Sequence, residues 1–200
     1  MKCIRVMFLL VLLAAAGTAF AQSGAHKHTT ETPQVQTDAQ KAFAALKTLA
    51  GKWEGKLKLD TDAFGKPDDD AMLVTMRVTS RGNALVHEMG ELKEGQDPTK
   101  FDHPVTMFYL DGDKLTLIHY CDAGNRPRMT ARVSDDGKKI EFDFADLSGS
   151  NNHGHMHHAV FTIIDANHHI EEWTYMLPGD KPVHAVGELQ RLPQQQASAR

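Results

Sequence analysis

Ten short segments that alternate apolar and polar residues follow one another with no helix between them, and this succession limits the chain to an antiparallel sheet. They span Trp53 to Leu59, Met72 to Ser80, Ala84 to Leu92, Val105 to Leu110, Lys114 to Cys121, Pro127 to Val133, Lys139 to Phe144, His157 to Ile164, His168 to Met176 and Val183 to Gln190. Turn-forming residues join several of them: Arg81-Gly82-Asn83, Asp111-Gly112-Asp113, Gly124-Asn125, Asp135-Asp136-Gly137 and Asp165-Ala166-Asn167. Parallel strands would need long crossovers, which leaves a sandwich or an up-and-down barrel. Successive hairpins favour the barrel, because closure removes the two edges that an open meander would expose. The expected fold is therefore an all-β, up-and-down antiparallel barrel of about ten strands.

One short helix precedes the strands. Ala39, Phe43, Leu46 and Leu49 to Ala50 recur at helical spacing, Thr37 or Asp38 can cap the start, and Gly51 can end it. Residues 1–21 read as a signal peptide, with Lys2 and Arg5 at the start, an apolar run from Val6 to Ala16 and a small-residue site at Ala19-Phe20-Ala21. That run is shorter than the roughly 20 residues a bilayer span needs, so the mature product is expected to have no membrane span and to be periplasmic or secreted. Residues 22–36 then form a polar leader, residues 37–191 the barrel domain and residues 192–200 a polar tail.

Removing the signal peptide takes Lys2 and Arg5 from the 22 basic residues, leaving 20 against 26 acidic ones. An acidic balance without a basic stripe argues against nucleic acid as a partner. Of the two cysteines, Cys3 leaves with the signal, and Cys121 alone cannot form an intrachain disulfide. Stability must come from a packed core, which a domain of this size can build as a monomer.

The short helix that delivers Gly51-Lys52-Trp53 to the first strand resembles the entry of the calycin superfamily. The pattern Gly51-x-Trp53-x-Gly55 is similar to the opening of lipocalin-like and nitrobindin-like barrels. His119-Tyr120-Cys121, Gly124-Asn125-Arg126-Pro127-Arg128-Met129 and Gly154-His155-Met156-His157 resemble uncharacterised secreted bacterial members of that superfamily. Leu57 stands where the nitrobindin pattern has another glycine. The resemblance implies a haem-ligating histidine late in the chain, for which His184 is the only late position. Its neighbours Ala185, Gly187 and Leu189 put the opposite face inward, which argues against haem.

Strand parity then predicts which side chains meet inside. A hairpin closed by Asp165 to Asn167 pairs Ile163 with His169, Phe161 with Glu171, Ala159 with Trp173 and His157 with Tyr175. The hairpin at Asp111 to Asp113 pairs Met107 with Leu117 and Val105 with His119, and the following ones place Met129 beside His119 and Phe144 beside Met129. Val105, His119, Met129, Phe144, His157 and Tyr175 are thus expected in one inward ring, with Cys121 and His155 one rung further out.

This ring suggests a small-ligand site for an apolar or amphipathic molecule. Met107, Leu117, Met129, Phe144, Phe161, Trp173 and Tyr175 would form its walls, His119 and His157 would orient the ligand, and Arg126 and Arg128 beside the mouth would meet an anionic headgroup. The alternative is a transition-metal site for Zn²⁺ or Cu²⁺, using His155 and His157 with His119 or Cys121 as a third ligand. The sequence requires neither ion. Catalysis is the weaker expectation: His119 and Cys121 share a face, but no carboxylate is placed to orient the histidine, and no nucleophile-elbow, phosphate-loop or dinucleotide motif occurs. His26-Lys27-His28 and Asp68-Asp69-Asp70 read as solvated charge runs, and His168-His169 as a polar rim at a turn.

Overall fold

The computed structural model describes residues 35–60, 72–90, 97 and 99–193. The signal peptide, most of the polar leader with His26-Lys27-His28, the Asp68-Asp69-Asp70 run and most of the tail lie outside the described residues. None of the described helices is long and apolar enough to cross a membrane.

The chain opens with α1 (Asp38–Lys47) and continues as ten strands: β1 (Gly51–Leu59), β2 (Met72–Thr79), β3 (Ala84–Met89), β4 (Val105–Asp111), β5 (Lys114–Tyr120), β6 (Arg126–Val133), β7 (Lys139–Ser148), β8 (His155–Ile163), β9 (His168–Leu177) and β10 (Lys181–Arg191). Each strand pairs antiparallel with its sequence neighbours, and β1 pairs with β10 to close the barrel, as the strand succession predicts.

Thr37 starts the helix through a reciprocal capping box. Its hydroxyl accepts from the Gln40 amide at 3.2 Å, and the Gln40 side-chain oxygen accepts from the Thr37 amide at 2.9 Å. The helix lays Ala42, Phe43 and Leu46 against the ends of β4, β5 and β6, so it plugs one end of the barrel. It ends at Thr48, earlier than Gly51, because Gly51 already belongs to β1.

The first turn of β1 is locked from both ends of the chain. The Trp53 indole donates to the Leu49 carbonyl at 2.7 Å, and the Arg191 guanidinium lies 4.1 Å from the ring centroid. Arg191 also donates to the carbonyls of Ala50, Thr48 and Ala166. Glycine is required on both sides of Trp53. Gly51 has φ +144°, with Arg191 Nη1 2.6 Å from where a Cβ would stand, and a Cβ on Gly55 would lie 2.1 Å from the Glu188 carbonyl oxygen. Leu57, in place of the further glycine, faces Gly187 across the β1–β10 seam.

Inside, Trp53, Leu85, Phe108, Leu115, Leu117, Met129, Ile140, Phe142 and Phe161 are fully buried and fill the half of the barrel next to the helix. Aromatic edges meet faces there, as where Phe108 and Phe161 cross at 87° with centroids 5.3 Å apart.

Register follows the sequence reading on β8–β9 as far as Ala159: Ile163 faces His169, Phe161 faces Glu171 and Ala159 faces Trp173. A bulge then passes over His157, so Met156 and not His157 stands opposite Tyr175. On β4–β5 the turn is one residue tighter than expected, with Asp111 opposite Lys114. Met107 therefore faces Ile118, and His119 faces Thr106 where Val105 was expected. That slip turns Thr106 and Phe108 inward and leaves Val105 and Met107 only half-buried. Met129 faces Leu117, not His119, while its pairing with Phe144 holds.

Candidate functional site

The half of the barrel away from the helix is hollow. A cavity of about 690 Å³ opens at that end. Leu57 and Leu59 of β1, Met89 of β3, Met156 of β8, and Val183 and Ala185 of β10 supply apolar wall. His119 and Trp173 form its floor, and Asp102, Cys121, Asp122, His153 and Tyr175 stand around it as polar lining. The size and the mainly apolar lining are those of a small-molecule site.

His119 carries the site's distinctive chemistry. Its side chain is 1% exposed, and its Nδ1 lies 2.9 Å from the Thr106 hydroxyl directly across the β4–β5 ladder. Its Nε2 is buried and has no protein partner. Burial, and then the nearby His87, push the imidazole down to about 3, so the ring is neutral at physiological pH. The Thr106 hydroxyl can donate or accept, so Nε2 can carry either an N–H or a lone pair. The Trp173 ring stands 5.7 Å from it.

Beneath the floor lies a polar cluster in the dry half of the barrel. Glu171 is fully buried and its carboxylate accepts from three donors: His87 Nε2 at 2.9 Å, His169 Nε2 at 2.9 Å and the Trp173 indole at 3.1 Å. Burial pushes this carboxyl up, but His87 and the hydrogen bonds outweigh it and hold the group at about 2. The Nδ1 atoms of both histidines are buried without a protein partner. His169 also meets Trp53 edge-on at 4.2 Å, so it belongs to the core and not to a polar rim. Neither His87 nor Glu171 was singled out from sequence, although Glu171 opposite Phe161 already put a carboxylate on an apolar face, which demands donors.

The structure distributes the sequence-predicted residues among three places. His119, Cys121, Trp173 and Tyr175 line the cavity, whereas Met129 is buried in the packed half. Phe144, His155 and His157 form a separate cluster: Phe144 is stacked on His157 at 4.9 Å and lies 4.8 Å from His155, and none of the three lines the cavity. There His155 Nε2 is 3.0 Å from His157 Nδ1, and its Nδ1 is 2.8 Å from the Asn151 side-chain oxygen. Burial and the neighbouring His157 lower the His155 pKa. Arg128 is held by Asp146 and Asp111, Arg126 reaches Ser148, and neither lines the cavity.

The four metal-ligand candidates are thus split, with His119 and Cys121 at the cavity and His155 and His157 beside Phe144. Among the described residues, Glu141, Asp143 and His158 are the group of three whose ligand atoms all lie within 4.8 Å of one another, and Arg132 already pairs with both carboxylates. The Cys121 thiol is pushed up by burial, and Asp102 and Asp122 add to the effect, so it is a poor nucleophile near neutral pH. The Tyr175 hydroxyl donates to the His153 carbonyl at 2.9 Å. His184 faces outward and bonds the Thr174 hydroxyl at 3.0 Å, in agreement with its parity.

No family model matches the chain, and no curated protein matches it in sequence. Among solved structures, the barrel is similar to the crystal structure of Rv2717c from M. tuberculosis, with a TM-score of 0.55 at 14% identity, over 76% of this chain and 98% of that one. A protein of unknown function of the DUF3598 family from Nostoc punctiforme PCC 73102 aligns with a TM-score of 0.46 at 10% identity, over 74% of this chain and 49% of that one. At 14% identity the likeness to Rv2717c is one of fold, a closed antiparallel barrel.

Proposed function

We propose that the barrel binds a small apolar or amphipathic molecule in the open-end cavity, with His119 as a polar anchor at its floor. One observation carries this reading: a mainly apolar hollow of roughly 690 Å³ has a buried histidine, whose Nε2 has no protein partner, among its lining residues. The hydrogen bonds of His87, His169 and Trp173 to Glu171 tie the residues beneath the floor to one another.

Titration with N-phenyl-1-naphthylamine is the direct test, because its fluorescence rises on entering an apolar site. Saturable binding is expected, with Trp173 emission quenched in parallel. Ala185→Trp should fill the hollow from β10 and weaken binding at least about tenfold, since it replaces an open wall with a ring. Far-UV circular dichroism would confirm that this variant keeps its sheet. No saturable signal from the unmodified barrel, or equal binding by the Trp variant, would remove the basis for the reading.

A metal reading is supported by a different observation, the 3.0 Å separation of His155 Nε2 and His157 Nδ1. A Zn²⁺ or Cu²⁺ ion would replace the hydrogen bond between the rings and take further ligands from solvent. Calorimetry should then show a heat of Zn²⁺ or Cu²⁺ binding that His157→Gln abolishes. Unchanged heat in that variant would end this alternative.

A further inference from the structure

The distribution of charge around the cavity goes beyond the statement that it holds an apolar body. Its described lining includes two carboxylates, Asp102 and Asp122, and no lysine or arginine. They are neighbours across the mouth, since Asp102 Oδ1 accepts from the Asp122 amide at 3.0 Å. Lys100 lines an adjacent surface recess and not the cavity. The arginines that the sequence offered for an anionic headgroup point to other partners, Arg128 to Asp146 and Asp111 and Arg126 to Ser148.

Inside, His119 is the titratable ring of the floor, and its buried Nε2 has no protein partner. As a neutral ring it supplies a hydrogen bond but no positive charge. A carboxylate or phosphate entering this hollow would meet like charge at the mouth and no cation below it. A protonated amine would meet two oxygen acceptors at the mouth and apolar wall beneath.

We propose that the cavity selects cationic amphiphiles, alkyl or aryl amines whose ammonium group is held beside Asp102 and Asp122 while the apolar body runs down along the apolar wall towards Trp173. This rests on the reading of the cavity as a small-molecule site and names its substrate class. The environment of the mouth supports the choice. The Asp102 carboxyl is raised by burial and by Asp122, and the Tyr175 hydroxyl is pushed up to about 12 by burial, with Cys121, Asp122 and Asp102 adding to it. Both groups lie in a field that an incoming cation would relieve.

The test is a competition at pH 7 between three ligands of equal chain length, dodecylamine, 1-dodecanol and dodecanoate, each displacing N-phenyl-1-naphthylamine below its micelle concentration. Dodecylamine is expected to displace the probe at a concentration about tenfold below that of dodecanoate, as a charge-assisted hydrogen bond gives. The ratio should shrink with added salt and fall towards unity in Asp122→Asn. Asp102→Asn is the second variant, and it keeps an oxygen to accept from the Asp122 amide.

Dodecanoate binding as well as or better than the amine, or a preference unchanged in both Asn variants, would overturn the cationic selectivity while leaving the cavity reading intact. Failure of all three ligands and of the probe would overturn both.

Discussion

Replacing Glu171 with alanine is expected to destabilise the barrel by about 4 kcal/mol, a large fraction of the stability of a domain this size. The carboxylate is the shared acceptor of three buried donors, and its removal leaves the Nε2 groups of His87 and His169 and the Trp173 indole facing a void. Each unpaired donor costs about 1–3 kcal/mol, and the rings can recover only part of this by turning Nδ1 inward or by admitting water. Glu171→Gln keeps the volume and one acceptor oxygen, so roughly half the loss is expected from it. Urea denaturation followed by tryptophan fluorescence measures both. A loss below about 1 kcal/mol in the alanine variant would mean that the cluster does not hold the floor in place.

Acid is expected to have an effect of similar size through His119, and the direction follows from which state takes up the proton. The unfolded chain protonates this imidazole near its ordinary value of 6.5, whereas the folded barrel resists protonation until about pH 3. Throughout that window the unfolded state holds more protons, so stability falls as pH falls, by about 1.4 kcal/mol per unit and roughly 5 kcal/mol in all.

His155, lowered chiefly by burial, adds a further decline of the same sign. Glu171 acts later. Its folded value of about 2 lies below the ordinary value of 4.5, so its stabilising contribution is complete above pH 4.5 and is lost as pH drops towards 2. Denaturation midpoints measured from pH 7.5 to pH 5 isolate the histidines. His119→Gln should flatten the slope in this interval, because the amide does not titrate. Parallel slopes for the variant and the original chain would show that the folded imidazole protonates as easily as the unfolded one.

The fold was legible in the sequence because each strand carries its own period and several turns carry their own chemistry. A single helix before ten hairpin-linked strands leaves few topologies, and closure followed from the need to hide edges. The site was legible only in part, and the failures have one physical origin. A side chain's face depends on counting residues modulo two, so one inserted or omitted residue reverses every assignment beyond it.

His119, Trp173 and Tyr175 line the cavity, and no irregularity intervenes within β5 or β9. His157 does not line it, because the bulge that passes over it hands the inward position to Met156. Cavity residues such as Leu57, Leu59, Val183 and Ala185 looked like ordinary core, since apolar residues around a hollow and around a filled interior obey the same alternation. Glu171 had the strongest unused signal: a carboxylate whose parity is inward is either paired or an error in register.

The seam that ties Trp53 to Arg191 pairs residues 126 to 138 positions apart in sequence. During synthesis the first strand must therefore wait for the last, with its outer hydrogen-bonding edge unsatisfied until β10 has been made. Losing even the final turn of that last strand would reopen two sticky borders at once. Self-association of shortened chains, more than loss of ligand, is the hazard this architecture carries.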